Sequence, residues 1–284
     1  MTTAYITVSL ALIGSIFGSF AMAQVWRLRA RQLANAKEQG AAYDKSEYRS
    51  LKHLLNSPVS KDRSVCLHCK YQLRWFDLIP IYSWLSLRGR CRKCRTPIGL
   101  YELIAELALA TLFALSYLFF PLPLSSPLDW LHLTTWLLLL AALMVLFIYD
   151  LRWSLLPDLP LLVAGILAAI YVALGWTNIN FLNLITALAI LSGIYLFLYL
   201  FSKGKWVGSG DYLLAIPIAL ILPHPMLAFF VLFFANLLGC FLVIPSLFAG
   251  KRSFNSSVPL GPLLITALIL VFFAQDLLLK IILP

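Results

Sequence analysis

Two aspartates occupy positions at which a carboxylate could do chemistry. Asp211 follows the glycine-rich turn of VGSGDYLL (207–214) and opens an apolar segment, and Asp150 closes another apolar segment in FIYDLRW. Ionisable groups at the edge of a membrane span are costly to keep there, so a functional role is the default interpretation. Two carboxylates that meet in a poorly solvated site share a proton, so one can act as general base on a water and the other as general acid on a peptide carbonyl. The two residues therefore predict aspartyl peptidase chemistry.

A third acid, Asp158, is a secondary candidate because it follows Pro157 and opens the next apolar segment. Each of the three aspartates also has a structural alternative. An N-cap role would explain Asp158 well and could also explain Asp211, because both stand at helix starts. It explains Asp150 less well, since the dipole at a helix C-terminus opposes a negative charge. The sequence has no H-E-x-x-H and no phosphate-binding loop of the Walker type, so no competing constellation appears.

The second group of reactive side chains is a set of four cysteines that form two C-x-x-C pairs. Two such pairs at this separation are typical of a structural zinc site, in which four thiolates fill the tetrahedral shell. A disulfide framework is the alternative. We expect His68, inside the first pair, to be a spacer, and Cys240, within a later apolar segment, to be a small core residue. The predicted zinc ligands are Cys66, Cys69, Cys91 and Cys94.

The elements that position these residues are predicted from composition. The chain has 284 residues, of which 61% are hydrophobic and only 12% charged, and its mean hydropathy is +0.88. A soluble domain is nearer one-quarter charged. These values predict an all-α polytopic membrane protein with about eight transmembrane helices, because several apolar segments reach the length of a spanning helix. The predicted spans are 3–25, 103–120, 130–150, 159–175, 180–201, 211–222, 226–248 and 259–281.

Charge divides the chain into three parts: the first transmembrane helix (1–25), a basic insert (26–100) that carries the tetracysteine segment (66–94), and a seven-helix membrane domain (101–284). Sixteen of the 22 lysines and arginines lie in the insert, which has a net charge of +11. The positive-inside rule places this insert in the cytoplasm and the N-terminus outside. Eight spans then put Asp150 and Asp211 on the cytoplasmic side, and the loops with Lys203 and with Lys251 and Arg252 also fall inside.

Four segments resemble a known family, the bacterial type IV prepilin peptidases, which are aspartyl proteases of the GxGD type. GSGD, with Gly208 and Gly210, is similar to the GxGD motif, and YDLRWSLLPD (149–158) resembles the segment of the first catalytic aspartate. FGSF (17–20) with the following WRL looks like the N-terminal signature of the family. The segment CLHCKYQLRWFDLIPIYSWLSLRGRCRKC is similar to the cysteine segment of the family almost throughout.

This resemblance implies a peptidase of the bacterial inner membrane that removes the basic leader of pilin-like precursors on the cytoplasmic side, just before their apolar N-terminal helix. It assigns catalysis to Asp150 and Asp211, makes Asp158 the less favoured acid, and implies pilus or secretion assembly machinery as a partner beside the lipid bilayer. Many family members also methylate the new N-terminus with S-adenosylmethionine, and Glu106 takes the place of the glutamate concerned. We expect no nucleic-acid partner.

The chain departs from the family pattern at three positions, where the family has Asn, Arg and Lys and this sequence has Met22, Tyr101 and Leu213. The first two concern the segment linked to methylation, so a member that retains only the peptidase activity is one alternative. A non-enzymatic zinc-bearing assembly or export scaffold is another, and a proton-coupled transporter is a third. A transporter would place its carboxylates near the membrane midplane.

Overall fold

The computed structural model describes residues 2–55, 63–175, 180–248 and 258–282, without the side chains of residues 246 and 247. The chain forms two compact units, residues 1–117 and 118–284. Within the described residues the regular structure is helical, and two isolated β-bridges lie in the cysteine segment. The loop prediction for Lys251 and Arg252 lies outside the described residues.

The first unit contains two long helices, α1 (Thr2–Glu38) and α4 (Leu100–Leu118). Two glycines of α1, Gly14 and Gly18, face the backbone of α4, where a Cβ at Gly18 would lie 2.5 Å from the Cα of Glu106. This G-x-x-x-G spacing lets two membrane helices approach backbone to backbone. Between the two helices the chain forms α2 (Lys45–Leu51), short 3₁₀ turns at Lys52–Leu54 and Trp75–Leu78, and α3 (Tyr82–Ser86).

Helix α1 continues well past the predicted end of the first span at residue 25. Its extension into the basic insert has an apolar face, because Ala30 and Leu33 are buried against Leu51 of α2. Asp44 begins α2 by accepting hydrogen bonds from the amides of Ser46 and Glu47. A further hydrogen bond from the Ser46 hydroxyl, together with these two, holds the pKa of the Asp44 carboxyl below its usual value.

The second unit is a bundle built around α5 (Pro127–Trp153), the most buried of its long apolar helices. A π-type turn at Ala189–Gly193 joins α7 (Phe181–Leu188) and α8 (Ile194–Ser202) into one helix. The other helices of the bundle are α6 (Asp158–Leu174), α9 (Ser209–Ile221), α10 (Pro225–Phe248) and α11 (Leu260–Ile282).

All eight predicted apolar segments form helices in the described residues, which confirms the all-α polytopic membrane fold. Six are long and apolar enough to cross a membrane by length and composition. The two shorter helices are α6, with 17 residues, and α9, with 13. At 1.5 Å per residue α9 is about 20 Å long, compared with a hydrocarbon core of roughly 30 Å. Its shortness explains why the segment gave the weakest span signal in the sequence.

Candidate active site and metal centre

Asp150 lies in the last turn of α5, and its side chain is only 4% exposed. Its Oδ2 accepts a hydrogen bond of 2.9 Å from the backbone amide of Gly261, the second residue of α11. The first amides of a helix have no partner in their own helix and carry partial positive charge, so they favour an anion. The N-terminus of α11 thereby compensates the unfavourable position of Asp150 at the C-terminus of α5.

Asp211 is the third residue of α9 and is half-buried. Its Oδ2 accepts a hydrogen bond of 2.9 Å from the amide of Gly208, the residue that precedes the helix. Asp211 is therefore not the N-cap residue itself, because it reaches back to the cap from the first turn, where the helix dipole also stabilises its charge.

Asp150 and Asp211 are brought near each other, because Leu156 packs against both Gly210, which precedes Asp211, and Gly261, whose amide binds Asp150. Leu156 lies in the loop after α5. A Cβ placed on Gly210 would lie only 2.7 Å from the Cβ of Leu156. The same leucine lies 3.3 Å from the position of a Cβ on Gly261, whose amide binds Asp150. The charges of Asp150 and Asp211 interact. Neither Oδ1 accepts a hydrogen bond within the described residues.

Asp158 is placed differently from the other two acids. It is the first residue of α6 and is exposed, and Pro157 occupies the cap position without a side-chain cap hydrogen bond. The N-cap role considered for Asp158 is therefore wrong for this structure.

Three residues near the aspartates were not among the sequence candidates. Gly261 donates to Asp150, Leu156 packs between two glycines, and Tyr195 of α8 interacts with the charge of Asp211. The sequence held one signal for Gly261, which stands between two prolines in PLGP (259–262). Tyr195 and Leu156 are common types of residue in apolar segments, so nothing in the sequence marked them.

The four predicted metal ligands lie together, with their sulfur atoms all within 4.8 Å of one another. The Sγ atoms of Cys66 and Cys94 are 3.8 Å apart, and those of Cys69 and Cys91 are 3.9 Å apart. Four sulfurs at about 2.3 Å from a tetrahedral zinc ion would be about 3.8 Å from each other. The cluster could therefore hold a metal ion, and its chemistry and spacing fit zinc.

The two halves of the cysteine cluster have the same backbone geometry. In each, the residue after the second cysteine is left-handed, Lys70 at φ 58° and Arg95 at φ 58°, and its amide donates to the carbonyl of the first cysteine. Burial raises the pKa of the Cys66 thiol to about 12. The hydrogen bond with Thr96 lowers the pKa of Cys94 to about 5. A bound cation would stabilise all four thiolates together.

Glu106 lies in the first unit and is 8% exposed. Its Oε2 accepts a hydrogen bond of 2.7 Å from the amide of Ile81, which has a positive φ of 61°. Ser19 and Glu102 lie close to this carboxylate. A buried carboxylate with a second one beside it suits a cationic ligand.

Cys240 differs from its prediction as a core residue. It is exposed on α10 and lines an open cleft.

Two family models match this chain, and their matched segments correspond closely to its two units. Residues 12–120 match the bacterial peptidase A24 N-terminal domain, and residues 137–244 match the type IV leader peptidase family. The first match falls almost wholly within the first unit, and the second lies within the second unit. The second match contains both Asp150 and Asp211.

Several relatives are named prepilin leader peptidase/N-methyltransferase. The protein of Burkholderia pseudomallei (strain 1026b) is 30% identical over 261 residues, which are 89% of this chain and 80% of the relative. That of Aeromonas hydrophila is 32% identical over 72% of this chain and 69% of its own length. The relative from Vibrio cholerae is 27% identical over 93% of this chain and 95% of its own length. No solved structure matches the chain.

Proposed function

Since the chain belongs to the type IV leader peptidase family and is a membrane peptidase that acts on prepilins, we propose that Asp150 and Asp211 form its catalytic pair. The observation that carries this assignment is the proximity of the two residues, through Leu156 and the glycines that it contacts. Asp150 and Asp211 both lie at helix ends. A proton-coupled transporter would instead place its carboxylates near the midplane of the membrane.

The reaction would use the two carboxylates in different roles. Backbone amides fix the Oδ2 of each, so the Oδ1 atoms are presented in defined positions. One carboxylate takes a proton from the attacking water while the other, protonated, donates a hydrogen bond to the scissile carbonyl. Amides of the chain thus orient both acids without supplying a proton themselves.

The experiment that tests the pair is leader removal from a co-expressed precursor, followed by gel shift. We expect Asp150→Asn and Asp211→Asn each to slow cleavage by at least ~100-fold, because each removes a proton-transfer group. Asp158→Asn is the matched control and should cleave normally, since Asp158 is exposed and outside the pair.

All three variants must reach the membrane at wild-type levels for the comparison to hold. Normal cleavage by either Asp150→Asn or Asp211→Asn would contradict the pair and make Asp158 the next partner to test. If cleavage survived all three changes but not loss of the cysteines, the scaffold alternative would be favoured.

We propose that the catalytic pair and the cysteine segment lie on the cytoplasmic side. The support is the charge distribution, because the segment before α4 carries most of the basic residues. Compared with the Cys240→Ser parent, Lys45→Cys in the same background should add labelling by a membrane-impermeant maleimide only after lysis, whereas Ser125→Cys should add it in intact cells. Both positions are exposed. The reverse pattern would invert the proposed topology.

Methylation of the new N-terminus is the second candidate function. The specific observation in its favour is the buried carboxylate of Glu106 with Glu102 beside it, because S-adenosylmethionine carries a sulfonium cation that such a pair would attract. That cofactor would supply the methyl group, and Glu106 and Glu102 are the residues of this chain that would face its charge.

We assign the four cysteines to zinc with a structural role, since four thiolates leave no open coordination position.

A further inference from the structure

An apolar cleft opens on the surface of the second unit between α10 and the start of α11. Its volume is about 290 Å³, at the small end of the range for ligand sites. It runs along α10 from Ala235 to Ile244, which corresponds to about 14 Å of helix. Ile244 is 48% exposed and Cys240 is also exposed, so the cleft is accessible from outside the unit.

The cleft adjoins residues that surround the two aspartates. Leu260 lines it and directly precedes Gly261, the residue whose amide binds Asp150. Asn236 also lines it and lies close to Tyr195, a residue near Asp211. A chain that left the catalytic pair along α10 would pass this cleft.

The shape of the cleft suits an apolar helix. Gly239 forms part of its floor, where a Cβ would come within 3.2 Å of Leu263, so the groove depends on the absence of a side chain there. Most of the other lining side chains are apolar, and such grooves bind helices through anchors spaced three and four residues apart. Small residues also let two membrane helices approach closely.

We propose that this cleft binds the first turns of the apolar segment that follows the scissile bond of the precursor. The inference rests on the proposed function, because it takes the catalytic pair as the point at which the precursor is cut. The cleft would hold the precursor with its peptide bond at Asp150 and Asp211, so it contributes to substrate binding rather than to proton transfer. A lipid acyl chain is the other possible occupant and is an outcome of the test.

The exposed thiol of Cys240 is a natural probe for the occupant. The Asp211→Asn enzyme is co-expressed with precursors that carry a single cysteine at successive positions of the apolar segment, and membranes are treated with a short bismaleimide. We expect cross-links to Cys240 within the first two or three turns, strongest at positions three or four residues apart. The cross-links should disappear with Cys240→Ser.

A kinetic test separates the cleft from the catalytic pair. Gly239→Leu should raise KM for the intact precursor about tenfold or more with little change in kcat, because it removes the space for one buried apolar side chain. A short precursor peptide that ends soon after the scissile bond should be cut by this variant at the wild-type rate. Gly165→Leu is the matched control, since nothing lies within 4 Å of a Cβ at Gly165.

The outcomes distinguish the two proposals. If the Asp150→Asn and Asp211→Asn enzymes are inactive, but Gly239→Leu has a normal KM and no cross-link to Cys240 forms, the precursor does not bind in the cleft and only this inference fails. If the aspartate variants cleave normally, the catalytic pair itself is wrong.

Discussion

At the scale of single residues, the two aspartates are held by different means. Asp211 binds an amide three residues before it, so its position is set locally by the turn into α9. Asp150 binds an amide of another helix, so its position depends on how α5 and α11 pack. Asp150 is therefore the more sensitive of the two to changes in its surroundings.

We expect Gly261→Ala to reduce kcat strongly. A Cβ at this position would come 2.7 Å from Oδ2 of Asp150 and 3.3 Å from Leu156, so the buried carboxylate would have to move. A displacement of about 1 Å in a catalytic group can cost ~100-fold in rate. Leader removal in purified membranes measures the effect.

The matched control is Gly165→Ala, which adds a Cβ where nothing lies within 4 Å. It should leave kcat unchanged. Wild-type activity of Gly261→Ala would show that the contact between Gly261 and Asp150 does not matter for catalysis.

At the scale of elements, the start of α9 and the cysteine segment use tight backbone turns to place side chains. Gly210 allows the first turn of α9 to lie against Leu156, and the left-handed residues Lys70 and Arg95 close the two cysteine turns.

We expect the purified protein to contain one zinc ion per chain, and Cys91→Ser to lose it. Metal content by mass spectrometry measures this, with Cys240→Ser as the control that keeps its metal. Acidification should release the metal, because thiolates must bind protons to leave it and Cys66 has a pKa raised by burial. Equal metal content in wild type and Cys91→Ser would contradict the site.

At the scale of the whole molecule, the two compact units carry different candidate chemistry. The first contains the cysteine cluster and Glu106, and the second contains both aspartates and the cleft. The two units also correspond to separate segments matched by different family domains. Peptide cleavage and N-methylation should therefore be separable by substitution.

We expect Glu106→Gln to preserve leader removal but abolish methylation of the new N-terminus, because the charge that would attract the cofactor is lost. Mass spectrometry of the cleaved product reads both events in one experiment. Glu38→Gln, a change of an exposed acid at the end of α1, should affect neither. A methylated product from Glu106→Gln would exclude this role, and an unmethylated product from the wild type would favour the peptidase-only alternative.

The sequence by itself determined which apolar segments are helices and which residues are candidates for chemistry. Apolar runs of sufficient length, the paired C-x-x-C spacing and the acids at segment ends are local patterns, and all of them reappear in the structure. The short α9 was also visible as the weakest of the predicted spans.

Tertiary packing alone decided how the reactive residues meet. Gly261 lies 111 residues after Asp150, and no local pattern connects the two. Packing also exposed Cys240, which its place in an apolar segment assigned to the core, because an apolar side chain in a membrane can face either another helix or lipid at similar cost. For the same reason composition predicted the helices of the second unit without predicting the cleft between α10 and α11.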